Sequence, residues 1–439
     1  MAKIMVIAGG EWQCPIVQTA KSMGHTVICS NLYEDSPAFA YADVGEVADV
    51  LDREKNLWIA KKYKPDAVLT DQSDIAVPTV AYVAEQMHLK GIGEEKAELF
   101  TNKYKMREFC EKHGFPSPVC YHCTDYREAE EALKKLGRAI IKPLDSQSSR
   151  GIYIIDSPEQ LKEVFEKSMS YSNNEKAVLV EQYIEGTEFT VDGVKTASGY
   201  QVTAISRKNH FSYNPNVANE LLFSWKDADY DYKELEELNI EMVTEMGLPF
   251  GMSHAEYKYM DGKYYLIEIA ARGGGTKISS DIVPFMSGVN SNAKYINMLL
   301  GKQEHCNIQH DMSKYSVLGF LDFKEGHVTR ISGMDQARQV PGVLEVALHF
   351  KEGDQIYAAQ DDRSRVGHYL LVADSYEQLR SREKQMKDSI VIEYGRYHGN
   401  YRENYRLYQK KPGINDRGGR LFGKNRSTSK CITYQSRTI

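Results

Sequence analysis

Two acidic residues stand at matching positions on the two arms of a predicted β-hairpin between residues 252 and 270. Segments of alternating polar and apolar residues flank Asp261-Gly262, a dipeptide typical of hairpin turns. Glu256 lies on the first arm and Glu268 on the second. When two such residues face each other across neighbouring strands, their Cβ atoms are about 5 Å apart. The sequence therefore predicts a site at which two carboxylates meet.

The register of this hairpin depends on the length of its turn. We expect five apolar side chains to share the buried face: Tyr257, Tyr259, Tyr265, Ile267 and Ile269. A two-residue turn would pair Tyr257 with Leu266 and divide this set between the two faces. We therefore predict a three-residue Asp261-Gly262-Lys263 turn, which keeps the apolar face whole and sets Glu256 opposite Glu268.

Two carboxylates at this separation repel each other unless one takes a proton or a cation lies between them. Mg²⁺ fits the pair, because this ion is usually held by one or two carboxylates together with substrate phosphates. Arg272 and the glycines 273–275 follow directly, and a cation beside a closely approaching backbone is suited to holding an anion. Two solvated glutamates on an exposed sheet face are the alternative at this point.

The first 95 residues alternate short apolar runs with amphipathic stretches, which predicts a doubly wound parallel sheet. The predicted strands are residues 4–8, 26–29 and 67–70, with helices between them. The turn after the first strand, residues 9–13, lacks the G-x-G-x-x-G pattern. A nicotinamide-dependent dehydrogenase is therefore a poor alternative.

Further along the chain, a strand at residues 139–142 leads into a Ser-rich loop at 145–151. Residues 206–230 are polar and lack a clear period, so we predict an irregular, mobile loop there. Arg207, Lys208 and His210 lie in it, where a lid could bring cations over a substrate site. From about residue 315 a β-rich region is predicted.

Length and charge restrict the functional classes. A chain of 439 residues is too long for one ordinary core, so two or three domains are expected. Residues 401–439 carry ten Lys/Arg and two Asp/Glu, a net charge of +8, and we expect this tail to be disordered. Because the whole chain carries −6, residues 1–400 carry −14, and nucleic acid is not expected as the main partner. Without a long apolar run or a secretion signal, we expect no membrane span and a cytoplasmic protein.

Several segments, in order along the chain, resemble the ATP-grasp superfamily. Residues 268–275, Glu-Ile-Ala-Ala-Arg-Gly-Gly-Gly, resemble its metal-site motif, in which Glu-x-Asn-x-Arg is usual. Asn102-Lys103, Ile140-Ile-Lys142-Pro143 and residues 178–188 resemble its two phosphate-lysine segments and its adenine hinge. Residues 362–367 are similar to the small β-domain of biotin carboxylase-like members and amino-acid ligases. Ala270 stands where the motif has Asn, so the coordination of a second metal departs from the family's pattern.

The resemblance implies an ATP-grasp fold, of the α/β and α+β classes, in three domains and a tail. A Rossmann-like pre-ATP-grasp domain is expected at residues 1–95 and the ATP-grasp domain at 96–305. A small C-terminal β-rich domain is expected at 306–400, followed by the basic tail at 401–439.

The resemblance also implies roles for individual residues. The implied ATP-binding residues are Lys103, Lys142, Ser146, Ser148, Ser149, Gly151, Glu181, Gln182, Tyr183, Ile184 and Glu188. Glu256 and Glu268 are the implied Mg²⁺ ligands, with Mn²⁺ as an alternative metal. Arg272, Lys142 and His254 are the implied catalytic residues. Arg272 would bind the substrate carboxylate or the developing acyl phosphate, with a structural ion pair as the alternative. A satisfied buried histidine is an equal alternative for His254.

The function implied is that of an ATP-dependent carboxylate–amine ligase. Such an enzyme activates a small-molecule carboxylate, here expected to be an amino acid, as an acyl phosphate and couples it to an amine. Small-molecule substrates are its expected partners, and a homodimer is compatible with the family. A bicarbonate-using carboxylase of the same superfamily and a non-catalytic ATP-binding module are the two alternatives.

Overall fold

The computed structural model describes residues 1–144, 151–172 and 175–395. Ser146, Ser148 and Ser149 of the predicted phosphate loop, and the predicted tail at 401–439, lie outside the described residues. Among the described residues, no helix combines the length and apolar character needed to cross a lipid bilayer.

A parallel four-stranded sheet forms the N-terminal part, as the alternating pattern predicts. Its strands follow the order β3-β2-β1-β4, and buried Ile and Val side chains pack against both of its faces. Because the strands are parallel, the loops after β1 and β4 meet at one edge of the sheet. The elements are β1 (Lys3–Ile7), α1 (Cys14–Ser22), β2 (Thr26–Asn31), β3 (Val44–Val47), α2 (Arg53–Tyr63), β4 (Ala67–Leu69), α3 (Val77–Gln86) and α4 (Glu94–Leu99).

A small antiparallel sheet, in the order β5-β8-β6-β7, follows in the chain. Helices α6 and α7 cover one of its faces through a core that includes Leu133, Phe165 and Val180. Since side chains alternate along a strand, the opposite face carries Lys142 and Glu181. The elements are α5 (Lys103–His113), β5 (Cys120–Cys123), α6 (Tyr126–Leu136), β6 (Ala139–Pro143), β7 (Tyr153–Ile155), α7 (Pro158–Met169) and β8 (Val178–Gln182).

A long eight-stranded antiparallel sheet, in the order β13-β12-β9-β10-β11-β14-β18-β16, makes up most of the rest. The elements are β9 (Thr187–Thr196), β10 (Gly199–Phe211), β11 (Asn214–Phe223), α8 (Tyr232–Met246), β12 (Gly251–Met260), β13 (Lys263–Ala270), α9 (Val283–Ser287), α10 (Ser291–Leu299), β14 (Tyr315–Phe320), β15 (Gly326–Ser332), α11 (Met334–Gln339), β16 (Val343–Leu348), β17 (Gln355–Ile356), β18 (Gly367–Ala373), α12 (Tyr376–Ser389) and β19 (Val391–Gly395). The C-terminal strands β14, β16 and β18 thus extend the central sheet, and β17, β15 and β19 form a small sheet beside it. The three-domain boundaries stay a prediction.

The prediction of an irregular loop at residues 206–230 is wrong for residues 206–223. These residues belong to β10 and β11, which pair antiparallel from Ser206 with Phe223 up to Phe211 with Asn214. The strand pattern is hidden because one face of β10 carries Lys208 and His210 towards a charged cavity, so the usual apolar alternation is missing.

The predicted three-residue hairpin turn is also wrong. Met260 pairs with Lys263, so the turn has two residues, Asp261 and Gly262, whose φ angles of 50° and 80° are positive as a type I′ turn requires. A bulge then intervenes, and β13 carries one extra residue at Ile267. This bulge restores the predicted pairing of Glu256 with Glu268.

The same bulge explains which side chains are buried. Tyr257, Tyr264, Leu266 and Ile269 are fully buried, whereas Tyr265 and Ile267 are only partly covered. A bulge switches the face on which the following residues lie. An apolar face can therefore stay whole with a two-residue turn, which the uniform alternation assumed from the sequence did not allow.

Candidate active site

A buried triad of charges lies on the four-stranded sheet β5-β8-β6-β7. Nζ of Lys142 (β6) is 2.5 Å from Oε2 of Glu181 (β8), and Nε of Arg107 (α5) is 3.1 Å from Oε1 of the same carboxylate. Burial alone would raise the pKa of Glu181, but attraction to Arg107 and Lys142 outweighs it and lowers the pKa. Burial lowers the pKa of Lys142, and repulsion from Arg107 and Lys103 acts in the same direction. Two cations share one carboxylate, so the triad keeps a net positive charge.

Glu256 and Glu268 lie on the face of the central sheet that lines a large cavity. Each carboxylate faces a lysine from another element: Oε2 of Glu256 is 3.0 Å from Nζ of Lys208 (β10), and Oε1 of Glu268 is 2.7 Å from Nζ of Lys103 (α5). Burial would raise the pKa of Glu256, but Lys208 and His254 hold it well below its usual value. The carboxylate of Glu256 is therefore ionised and can serve as a ligand.

Glu188, at the start of β9, lies among two lysines and a histidine. Its carboxylate is 3.1 Å from Nζ of Lys258, 3.6 Å from Nζ of Lys208 and 3.4 Å from Nε2 of His210. Burial raises the pKa of this carboxyl, but the neighbouring charges outweigh burial and lower it to about 2. Lys208 thus bridges the carboxylates of Glu188 and Glu256.

His254 stands two residues before Glu256 and is held by a buried carboxylate. Its Nδ1 is 3.1 Å from Oδ1 of Asp192 (β9), and its Nε2 is 3.8 Å from Oε1 of Glu256. Burial opposes protonation of the ring, but Asp192 outweighs it and raises the pKa of His254 to about 9. The imidazole therefore carries a positive charge near neutral pH and faces the cavity.

Arg272 forms a two-pronged ion pair with Asp74, from the loop after β4, at 2.5 Å and 3.1 Å. The glycines that follow are fixed by buried carboxylates: the amide of Gly273 donates to Asp71 (3.0 Å) and that of Gly274 to Asp192 (2.9 Å). Two of the three glycine amides therefore have protein partners. Arg272 and Gly275 line the cavity.

These groups surround one cavity of about 1130 Å³. It is lined by the N-terminal loops, by the four-stranded sheet β5-β8-β6-β7 and by the central sheet, including its C-terminal strands. The cavity brings together most of the residues that the sequence singles out. Those lining it are Lys103, Lys142, Glu181, Gln182, Tyr183, Ile184, Glu188, His254, Glu256, Glu268 and Arg272. Gly151 does not line it, although the next residue, Ile152, does.

Sequence reasoning missed several charged residues of this site, notably Arg107, Asp192 and Asp74. Arg107 lies on a helix and Asp192 on a strand, at positions where nothing in the local pattern marks them. Lys208 was noticed only as part of a supposed loop. The spacing of Lys208 and His210, two residues apart, would have placed both on one face had β10 been recognised as a strand.

The sequence of residues 138–281 matches a family model described as an ATP-grasp domain. The chain contains an ATP-grasp domain. The matched ATP-grasp segment contains Lys142, Glu181, Glu188 and both members of the Glu256–Glu268 pair. Residues 319–395 match a second family model, the L-amino acid ligase C-terminal domain 2.

Known proteins share this fold or parts of this sequence. The solved structure of an L-amino acid ligase from Bacillus licheniformis superposes with a TM-score of 0.75 at 20% identity, covering 90% of this chain and 99% of that one. An uncharacterised protein of Sinorhizobium fredii, y4rH, is 25% identical over 317 residues, which are 70% of this chain and 64% of that protein. A formate-dependent phosphoribosylglycinamide formyltransferase of Bacteroides fragilis is 27% identical over 204 residues, which are 45% of this chain and 52% of that protein. The alignments thus span between half and two thirds of these two curated relatives.

Proposed function

We propose that this protein is an ATP-dependent ligase that activates a small-molecule carboxylate, in particular an amino acid, as an acyl phosphate and couples it to an amine. The observation that carries the proposal is the pairing of Glu256 with Glu268 on the cavity face, with Lys103 and Lys208 against them. The match of residues 319–395 to an L-amino acid ligase domain supports an amino acid as substrate. ATP as the other substrate fits the cytoplasmic location that the sequence favours.

The nucleotide would bind between the four-stranded sheet β5-β8-β6-β7 and the central eight-stranded sheet. Lys103 and Lys142 would neutralise phosphates, and residues 181–184 at the end of β8 would bracket adenine, largely through their backbone. Glu188, ionised and held by Lys208, Lys258 and His210, would accept hydrogen bonds from the ribose hydroxyls. The loop with Ser146, Ser148, Ser149 and Gly151 follows β6 in the chain and would contact the terminal phosphates.

The donor set of the paired glutamates fits Mg²⁺. Among the described residues there is no cluster of three or more His, Cys, Asp or Glu side chains arranged for a metal. Mg²⁺ does not need one, because it is usually bound by one or two carboxylates and completes its shell with phosphates and water. Glu256 and Glu268 would hold the ion, which supplies charge neutralisation at the phosphates when bound. Ala270 offers no third oxygen ligand.

The cations of the site already face protein carboxylates, which suggests an exchange of partners. Lys103 pairs with Glu268, Lys142 with Glu181 and Arg272 with Asp74. A polyphosphate in the cavity would compete with Glu268 for Lys103 and release that carboxylate for the metal. Binding of the nucleotide would thereby free one of the two proposed metal ligands, which balances the charge of Lys103 in the absence of the nucleotide.

The chemistry follows from these placements. An oxygen of the substrate carboxylate, oriented by Arg272, attacks the γ-phosphorus of ATP, and ADP leaves with the electrons of the broken P–O bond. Lys142 and the charged imidazole of His254 stabilise the negative charge that develops. The amine nitrogen then attacks the acyl carbon, loses a proton, and inorganic phosphate departs, leaving an amide. Water must be kept from the acyl phosphate until the amine attacks.

The proposal is tested by measuring ADP and phosphate release over pairs of amino acids, with bicarbonate as a separate acid. Release that requires an amino acid pair supports the ligase, whereas release that requires bicarbonate supports the carboxylase alternative. Glu268→Gln should abolish turnover and leave the fold intact, while Glu237→Gln, an exposed glutamate on α8, should change nothing. Tight ATP binding without turnover on any acid would identify a non-catalytic module instead.

A further inference from the structure

A group of apolar and aromatic side chains lines part of the cavity that also contains Arg272. We call it the Trp12 compartment and define it by Trp12, Ile75, Ile278, Phe320 and His368, all of which line the cavity. The first two come from the N-terminal sheet loops, Ile278 follows the glycine segment, and the last two belong to the C-terminal strands β14 and β18. The compartment is thus formed by the N-terminal loops, the segment after β13 and the C-terminal strands.

A chain of contacts connects the segments that carry these residues. The ring of Trp12 meets that of His368 edge-on, with centroids 5.4 Å apart, and Nε2 of His368 is 3.2 Å from Oε1 of Glu345. Glu345 also pairs with Lys277, whose backbone amide donates to Oε1 of Gln72 at 2.9 Å. Trp12 is therefore linked through the C-terminal strands to the segment before Ile278 and to the loop that carries Ile75.

The charged and amide groups around the compartment already have protein partners. Asp74 is paired with Arg272, Gln72 binds the amide of Lys277, and both ring nitrogens of His368 face His349 or Glu345. A substrate that entered here would find these charged and amide groups already engaged. The half-buried indole of Trp12 and the neighbouring Ile side chains offer instead a surface on which apolar area can be buried.

We infer that the Trp12 compartment binds a bulky apolar or aromatic side chain of the substrate whose carboxylate is activated. The inference rests on the proposed function and adds to it the substrate class and a residue that determines specificity. Arg272 would hold the carboxylate, and Asp74, paired with Arg272, is followed directly by Ile75 of the compartment. The side chain of the same molecule then points towards Trp12.

The test separates the activated acid from the amine by using hydroxylamine, an amine without a side chain, and measuring the hydroxamate formed from each acid with ATP. We expect L-phenylalanine and L-leucine to be activated with lower KM than glycine and L-aspartate. Trp12→Ala should raise the KM for L-phenylalanine about tenfold to a hundredfold, while the KM for ATP and for glycine stays unchanged. Trp12→Phe, which keeps a ring, should retain most of the preference and guards against a loss of folding.

Trp58→Ala is the matched control, since this tryptophan is 51% exposed on α2 and does not line the cavity. The inference is overturned if the wild-type protein activates glycine or L-aspartate as well as L-phenylalanine. It is also overturned if Trp12→Ala raises the KM for every acid alike, because that pattern indicates a general structural role. If no acid gives hydroxamate or ADP, the proposed function itself is wrong and the inference falls with it.

Discussion

Nζ of Lys103, at the first position of α5, lies 2.7 Å from Oε1 of Glu268 on β13. This contact joins the predicted phosphate lysine to the predicted metal ligand across 165 residues of sequence. Burial alone would lower the pKa of Lys103, but attraction to Glu268 outweighs it and raises the pKa. The lysine is therefore charged. A ligand that replaces Glu268 as the partner of Lys103 should itself be an anion.

Replacing this lysine should weaken nucleotide binding. We expect Lys103→Met to raise the KM for ATP about tenfold to a hundredfold, because a hydrogen bond to a charged group contributes about 1.5–3 kcal/mol. The measurement is ADP release at varied ATP concentration. Lys105→Met is the control: this lysine lies on the same helix but is 45% exposed and pairs with Glu98. Equal effects of the two substitutions would contradict a phosphate-binding role for Lys103.

The buried triad of Arg107, Lys142 and Glu181 gives a prediction about stability. Glu181→Gln leaves two buried cations without their shared carboxylate, which should lower the free energy of unfolding by about 3–5 kcal/mol. Urea denaturation followed by fluorescence measures the change. Glu185→Gln, at a glutamate that is 73% exposed and pairs with Arg138 at the surface, should shift the midpoint little. A small effect of both would mean that water reaches the triad.

The lowered pKa of Glu188 predicts a dependence of stability on pH. Its pKa falls from 4.5 to about 2 in the folded state, so the folded protein holds fewer protons than the unfolded chain between these values. The stabilisation is fully present above about pH 4.5 and is lost as the pH falls towards 2. We expect Glu188→Gln to flatten the dependence of the melting temperature on pH in this window. An unchanged slope would show that Lys208, Lys258 and His210 do not stabilise the carboxylate.

The glycine segment after β13 offers a comparison of adjacent positions. A Cβ at Gly274 would lie 2.6 Å from Oδ1 of Asp192 and 2.8 Å from Ile278, whereas a Cβ at Gly275 would meet nothing within 4 Å. Gly274→Ala should therefore destabilise the protein by about 1–3 kcal/mol and lower the turnover number. Gly275→Ala should be tolerated in thermal melts and in assays of ADP release. Loss of activity in Gly275→Ala alone would point to a contact between its backbone and substrate.

Local chemistry was sufficient for much of the architecture and for the central pair of the site. The parallel N-terminal sheet was predicted from apolar runs separated by amphipathic stretches. Asp261-Gly262 indicated the position of the hairpin turn, because few dipeptides adopt two positive φ angles easily. Glu256 and Glu268 could be matched across that hairpin since strand partners are fixed by counting outward from the turn. The predicted pair is correct although the predicted turn is one residue too long, because the extra residue of the bulge at Ile267 shifts the pairing back by one position.

The sequence by itself determined which residues could bind phosphate and metal and in what order they occur. Only the tertiary structure decided which charges meet: Asp74 with Arg272, Lys103 with Glu268, and Lys208 between Glu188 and Glu256. The physical reason is that hydrogen bonding and period-two alternation act between near neighbours in the chain, whereas ion pairs depend on positions brought together by folding. A strand whose exposed face lines a charged cavity loses its apolar alternation, so β10 became recognisable only beside its partners β9 and β11.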